Sequence, residues 1–220
     1  MLFNFHTYHI DEVFCLLNVD MDKRLDDYPH QVKLSVGIHP WKVNDGWEKT
    51  FENVSNVARK DEVWAIGECG LDKVRGEAFS RQMEAFKAHI HLSESVEKPL
   101  IIHCVKAVDE VLALRHALNL RCKKTAKEPQ PWVIHGFRGK PEQAKQLMTK
   151  GLLLSFGHQY NIETLREVFT SCRPFFLETD DLPLSVRQIY AQVAHHLDVD
   201  IGRIEHLCDP LQTIFRQRAF

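Results

Sequence analysis

The chain lacks any apolar run near the ~18 residues that mark a membrane-spanning helix, so neither a helical span nor a membrane partner is expected. It lacks a basic start followed by a short apolar run, so no signal peptide is expected. It lacks a strong charge of either sign. Its 28 Lys and Arg stand against 30 Asp and Glu, a formal net charge of -2, and the total alone predicts no non-specific attraction to nucleic acid. The one local basic stretch, LRCKKTAKE, reads as a solvated loop or helix end. CxxC pairs are absent too. The cysteines at 15, 69, 104, 122, 172 and 208 are expected as free thiols in a reducing cytoplasm. Repeats, low-complexity segments and linkers are missing, so residues 1–220 read as one domain, long enough to bury a substantial core.

What is present is an alternation. Eight short apolar runs recur: LFNFH, VFCLLNV, KLSVGIH, VWAIGE, PLIIHC, WVIHGF, LLLSFG and FFLETD. Near-continuous apolar runs fit strands covered on both faces, as in parallel sheets. Most are separated by amphipathic helices. Phe79, Met83, Phe86 and Ile90 share a face of one helix, and Val186, Ile189, Val193 and Leu197 share a face of another. In KPEQAKQLMTKG, Pro141 and Gly151 stand just inside the start and just past the end of a third helix. The fold class is therefore α/β, a TIM-type (β/α) barrel. Only Thr7 to Glu12 separate the first two runs, whereas a parallel crossover normally needs a dozen residues. The barrel is thus expected to be shortened near its first two strands, without the first helix. Ile66, Ile101, Ile102, Val133, Leu153 and Leu177 are the predicted core.

Barrel sites lie at the C-terminal ends of the strands. Those ends carry His6, His39, Glu68, His103, His135 and Asp180. A lone histidine at a strand end is more often a hydrogen-bonded core residue than a ligand. Three imidazoles joined by Glu68 and Asp180 at equivalent positions form a nest of nitrogen and oxygen donors, which zinc and manganese accept. Glu68 can bridge two ions. His39 also reads as part of a turn fixed by Pro40. Cys69 and Cys104 follow proposed ligands directly, so alternation turns them to the opposite face, into packing. Asp72 is expected in a supporting role.

Five stretches then point to a family: SVGIHPW, AIGECGLD, PLIIHC, VIHGFRGKPEQAKQLMTKGLLLSFG and FLETD, in order from residue 35 to about 181. The chain resembles the TatD family of metal-dependent hydrolases. The resemblance implies a TIM-type barrel that hydrolyses phosphodiester bonds of DNA with divalent metal: zinc, manganese or magnesium, one or two ions per chain. It implies that Glu68 is shared by two metal positions, that His103 and His135 complete one, and that His6 and Asp180 belong to the other. Asp180 would also accept the proton of the attacking water, making Asp180 and Glu68 the catalytic pair. His39, Lys106 and Arg138 are the candidates for binding substrate.

The chain departs from this family at four places. FNFHTYHID has His6, but Tyr8 stands where the family has a second histidine, and a neutral tyrosine is a poor ligand because its pKa is about 10. His9 is a possible metal ligand if the chain turns sharply after His6; on a regular strand it points away. The segment before GIHP is short. Val105, followed by Lys106, stands where the family often has an arginine suited to phosphate, and the usual asparagine near the C-terminus is missing from CDPLQTIF. Two alternatives to a deoxyribonuclease stay open: an amide or ester hydrolase with the same metal site, and a non-catalytic binding protein on a decayed hydrolase scaffold.

Overall fold

The computed structural model describes residues 2–9, 14–19, 21, 28–29 and 31–215. Eight strands follow the eight apolar runs: β1 Asn4–Thr7, β2 Cys15–Asn18, β3 Lys33–Val36, β4 Val63–Asp72, β5 Leu100–Val105, β6 Trp132–Ile134, β7 Leu152–Phe156 and β8 Phe176–Leu177. They pair in sequence order, all in parallel. The ring is joined where the end of β1 meets the chain leaving β8. There the Tyr8 N–H donates to the Asp180 carbonyl at 3.1 Å, and the Asp180 N–H donates to the His6 carbonyl at 3.0 Å. This seam sets His6, Tyr8 and Asp180 side by side, although they lie at opposite ends of the sequence.

Helices follow the later strands: α1 Trp47–Val57, α2 Phe79–Val96, α3 Val108–Thr125, α4 Pro141–Thr149, α5 Ile162–Thr170, α6 Val186–Leu197, α7 Ile201–Leu207 and α8 Pro210–Thr213. Pro141 opens α4, where its fixed φ suits the first turn and its missing N–H costs nothing. Ser185 and Gln188 form a capping box that starts α6. The absence of a first helix, expected between Thr7 and Glu12, falls partly on residues 10–13, which lie outside the described residues.

Strand alternation divides the core in two. Phe5, Leu16, Trp64, Ile101, Val133 and Phe176 pack together inside the ring with Phe215, while alternate strand residues such as Leu100, Ile102, Trp132 and Leu177 pack outward in a second cluster. Burying each such side chain contributes roughly 1.5–3 kcal/mol. Of the predicted core residues, Leu153 is only partly buried, against the inner cluster. Two residues further along the inward faces stand Asn18, His103, His135, Ser155 and Glu178. The apolar inner layer is thus a floor, and the polar layer above it faces the C-terminal mouth of the barrel.

His89, on α2, ties the wall of the barrel to the GIHP turn. Its Nδ1–H donates to the Ala85 carbonyl at 2.7 Å, and its Nε2 accepts the Ile38 N–H at 3.0 Å. Burial holds its pKa down at about 4. The folded form therefore binds fewer protons than the unfolded chain, whose histidine titrates near 6.5. This contribution is complete above pH ~6.5 and is lost as pH falls toward 4, a loss of about 2 kcal/mol by pH 5. Urea unfolding at pH 7 and pH 5 should show His89→Gln less sensitive to acid than the parent by about that amount. Equal sensitivity in both would mean that His89 is not held neutral.

Candidate metal centre

Glu68 is the hub of the mouth. It lies on β4, is only 3 % exposed, and is fixed by its backbone N–H, which donates to Asn18 Oδ1 at 2.7 Å. Two residues on, Gly70 has φ +144°, and a Cβ there would run into the His103 carbonyl. Glycine therefore lets β4 approach β5 closely enough to bring Glu68 and His103 together.

Each oxygen of Glu68 faces a different set of groups. Oε1 lies 2.7 Å from His135 Nε2, 2.9 Å from His103 Nδ1 and 3.2 Å from His39 Nε2. Oε2 accepts the Tyr8 hydroxyl at 2.7 Å and lies 3.3 Å from His6 Nε2. Asp180 Oδ1 is 3.7 Å from the same His6 nitrogen, and the Asp180 side chain is 35 % exposed. Among the described residues, two groups have donor atoms close enough to hold one ion: His6, Glu68 and His135, and His39, Glu68 and His103. Glu68 belongs to both.

The far nitrogens of two imidazoles are also engaged. His103 Nε2 lies 3.2 Å from Asp72 Oδ2, and His135 Nδ1 lies 3.2 Å from Glu178 Oε1. Asp72 is itself held by the Trp41 indole N–H at 2.8 Å and by the backbone N–H groups of Val74 and Arg75. Glu178 accepts the Gly136 N–H at 2.7 Å and the Ser155 hydroxyl. Carboxylates that hold the outer nitrogen of a histidine fix its orientation and raise its basicity as a ligand.

The electrostatics follow. Burial would push the Glu68 carboxyl up, but His135, His103 and His39 around it hold it well below the usual range. Burial would push His135 down, but Glu68 and Glu178 hold it well above the usual range. Burial pushes Asp180 up, toward a carboxyl that takes a proton readily. It also pushes the Tyr8 hydroxyl up, with Glu68 adding to the effect, so Tyr8 is a neutral hydrogen-bond donor.

His6 supplies the test of fit for a metal. It is fully buried, and neither of its ring nitrogens has a hydrogen-bond partner. A buried polar atom without a partner is costly, and here it is aimed at a carboxylate and an imidazole. A borderline divalent cation accepts this donor set of imidazole nitrogens and carboxylate oxygens.

The structure brings together most of the residues singled out from the sequence, with differences in arrangement. His39, expected to bind substrate, stands among the donors, beside the 3-10 turn at Pro40–Lys42, with its Nε2 3.2 Å from Glu68. The closest donor groups are His39 and His103 with Glu68, and His6 and His135 with Glu68, while His103 and His135 also share Oε1 of Glu68. His9 enters neither group; its Nε2–H is turned to the Asp181 carbonyl at 3.0 Å. Arg138 lies in a small cleft with Gly157 and Asp180, but its Nη1 donates to Gln159 at 2.8 Å. Lys106 is exposed, at φ +52°. Sequence inspection missed Asn18 and Glu178, although Glu178 shares the inward parity of Asp180 two residues later. A broader depression of about 420 Å³, lined by His116, Lys123, Lys127 and Lys150 among others, lies away from these donors.

Comparison with known proteins adds a lineage. The family model described as TatD related DNase matches residues 16–205. The chain is 28% identical over 197 residues to the 3'-5' ssDNA/RNA exonuclease TatD of Citrobacter koseri, covering 78% of this chain and 68% of that protein. It is 29% identical over 143 residues to an uncharacterized metal-dependent hydrolase of Methanocaldococcus jannaschii, covering 64% and 50%. It is 32% identical over 155 residues to the uncharacterized metal-dependent hydrolase YcfH of Escherichia coli, covering 68% and 55%. The chain thus spans about half the length of the latter two relatives. Among solved structures, a TatD homolog from Escherichia coli superposes with a TM-score of 0.74 at 16% identity, covering 94% of both chains. A TatD family hydrolase from Entamoeba histolytica gives 0.72 at 14% identity, covering 98% of this chain and 99% of that one. These two likenesses are of fold.

Proposed function

The chain belongs to the TatD-related DNase family, and on that premise we propose that it is a metal-dependent hydrolase that cleaves phosphodiester bonds of DNA, with water as the attacking group. One buried carboxylate ringed by four imidazoles at the mouth of the barrel carries the proposal. His39, Glu68 and His103 would hold an ion on the Oε1 side, and His6, Glu68 and His135 form the second candidate set. A divalent ion bound there supplies Lewis-acid charge at the phosphoryl oxygens and lowers the pKa of water. Asp72 and Glu178 keep His103 and His135 turned toward the cleft. Asp180, partly open to the cleft and beside His6, takes the proton of the attacking water on its carboxylate. Among the described residues no helix is long and apolar enough to cross a membrane, and the six cysteines are free. Free thiols fit the proposed cytoplasmic location.

The test pairs elemental analysis with turnover. Purified protein should carry a divalent transition metal and shorten single-stranded DNA. A chelator should remove both properties, and zinc or manganese should restore both. Metal-loaded protein that hydrolyses carbonyl esters or amides but no phosphodiester would move the assignment to that chemistry. Protein that neither binds metal nor turns over any of these substrates would point to a decayed scaffold.

A further inference from the structure

Val105 ends β5 with an apolar side chain, the exposed Lys106 follows it, and the sheet register brings the loop that carries Arg75 alongside. Asp72 pairs with Val105, and the Lys73 N–H donates to the Val105 carbonyl at 3.1 Å. The chain leaving β4 therefore runs beside the end of β5, and Arg75 follows three residues after Asp72. The Arg75 backbone N–H donates to Asp72 Oδ1 at 3.0 Å, which fixes the start of this loop. Gly76, at φ +98°, lets the loop lie flush against the Pro40 turn: an added Cβ would come within 3.1 Å of the Pro40 carbonyl and of Trp41.

The consequence is a placed guanidinium. Arg75 Cζ lies over the Trp41 indole, 3.8 Å from its ring centre. Such a stack is attractive and restricts an otherwise mobile side chain. The indole in turn contacts the rings of His39 and His103, at 4.7 and 5.7 Å between centres. One indole therefore touches both the guanidinium and two of the candidate metal donors. Three neighbouring cations are committed elsewhere, Lys73 to Glu110, Arg81 to Asp45 and Glu77, and Arg138 to Gln159, while the exposed Lys106 has no aromatic ring to hold it among the described residues. Among the described residues the Arg75 guanidinium has no carboxylate partner, so its N–H groups are open to an anion.

We propose that Arg75, held on Trp41, is the phosphate clamp of this cleft, binding a single-stranded nucleic acid by the phosphate next to the scissile one. This rests on the phosphodiesterase assignment above. The guanidinium touches the candidate donors only through Trp41, so its part in the proposal is to hold the neighbouring phosphate of the strand and not the one at the donors. A contact to a backbone phosphate also tolerates any base in a single strand. Arg75 is thus a binding residue for the chain of the substrate, not for its reacting group.

The test measures binding of a fluorescent, hydrolysis-resistant phosphorothioate oligothymidylate to the metal-loaded protein across a range of salt. Arg75→Ala should weaken binding roughly tenfold and make the salt slope shallower by about 0.7, the share of one phosphate contact on a single strand. With a cleavable oligonucleotide, KM should rise and kcat should hold. Turnover of bis(p-nitrophenyl) phosphate, which has no second phosphate, should match the parent. Arg75→Lys should fall between, since it keeps the charge and loses the planar stack. Unchanged affinity and slope in Arg75→Ala, in a parent that binds and cleaves the oligonucleotide, would overturn the clamp alone. A parent that neither binds nor cleaves it would overturn the phosphodiesterase assignment and the clamp together.

Discussion

Glu68→Gln should strip the protein of metal and of turnover together. Both candidate donor groups include Glu68, and no other carboxylate is common to them. The amide keeps the volume but loses the negative charge that draws a cation into a buried pocket. It also presents N–H groups to imidazoles that now face an acceptor. Metal-assisted hydrolysis rests on several kcal/mol of transition-state stabilisation, so turnover should fall by at least about a thousandfold. His135 would lose the nearer of its two carboxylates and keep Glu178 at 3.2 Å. Circular dichroism should therefore retain the native signal, so that loss of metal is distinguishable from loss of fold. Parent-like metal content in folded Glu68→Gln would remove Glu68 from the centre.

Tyr8→His should add a second equivalent of metal to a chain that holds one tightly. In the parent, Oε1 of Glu68 meets three imidazole nitrogens, whereas Oε2 is engaged by the Tyr8 hydroxyl at 2.7 Å. A protonated phenol offers a hydrogen where an ion would need an electron pair. Its proton and the Glu68 oxygen satisfy each other, and the buried His6 beside them is left without a hydrogen-bond partner. An ion on that side would have to displace the phenol. Histidine at this position would free Oε2 and supply a nitrogen. Tyr8→Phe would free Oε2 alone and should raise the second occupancy only in part. Metal per chain, titrated against a chelating indicator, separates the three proteins. His9→Ala should leave the count unchanged, because the His9 ring is bonded to the Asp181 carbonyl. Two equally tight ions in the parent would show that Tyr8 does not guard the Oε2 side.

The barrel was readable because parallel strands covered on both faces leave near-continuous apolar runs, and each of the eight runs became a strand. The helix Val186–Leu197 was readable because Val186, Ile189, Val193 and Leu197 repeat at helical spacing; its Ser185 cap was seen only in the structure. The donors were readable as polar groups at strand ends. The distances among them were not, because these depend on how far each strand extends beyond its neighbour, and the register shifts between β3 and β4 and again between β4 and β5. Glu178 was hidden inside FFLETD, where Asp180 marks the end of the run more plainly. His39 sits on a turn, and Arg75 on a loop. Periodicity says nothing about where such segments send a side chain. Tyr8 was legible as a missing ligand but not as a hydrogen-bond donor, since that role needs the position of Oε2.

The seam between β1 and the end of β8 joins residues near the start of the chain to residues far along it, and Asn4 reinforces it through hydrogen bonds to Thr179. Contacts between residues so far apart in sequence carry a high loop-closure entropy cost. The seam runs through the His6 backbone itself, whose carbonyl accepts the Asp180 N–H. An ion bound through His6 would therefore favour the closed ring by mass action. The two ends of the barrel wall and the two sides of the metal centre are one cooperative unit: a change that loosens the seam weakens the ion, and an ion that binds there holds the wall shut.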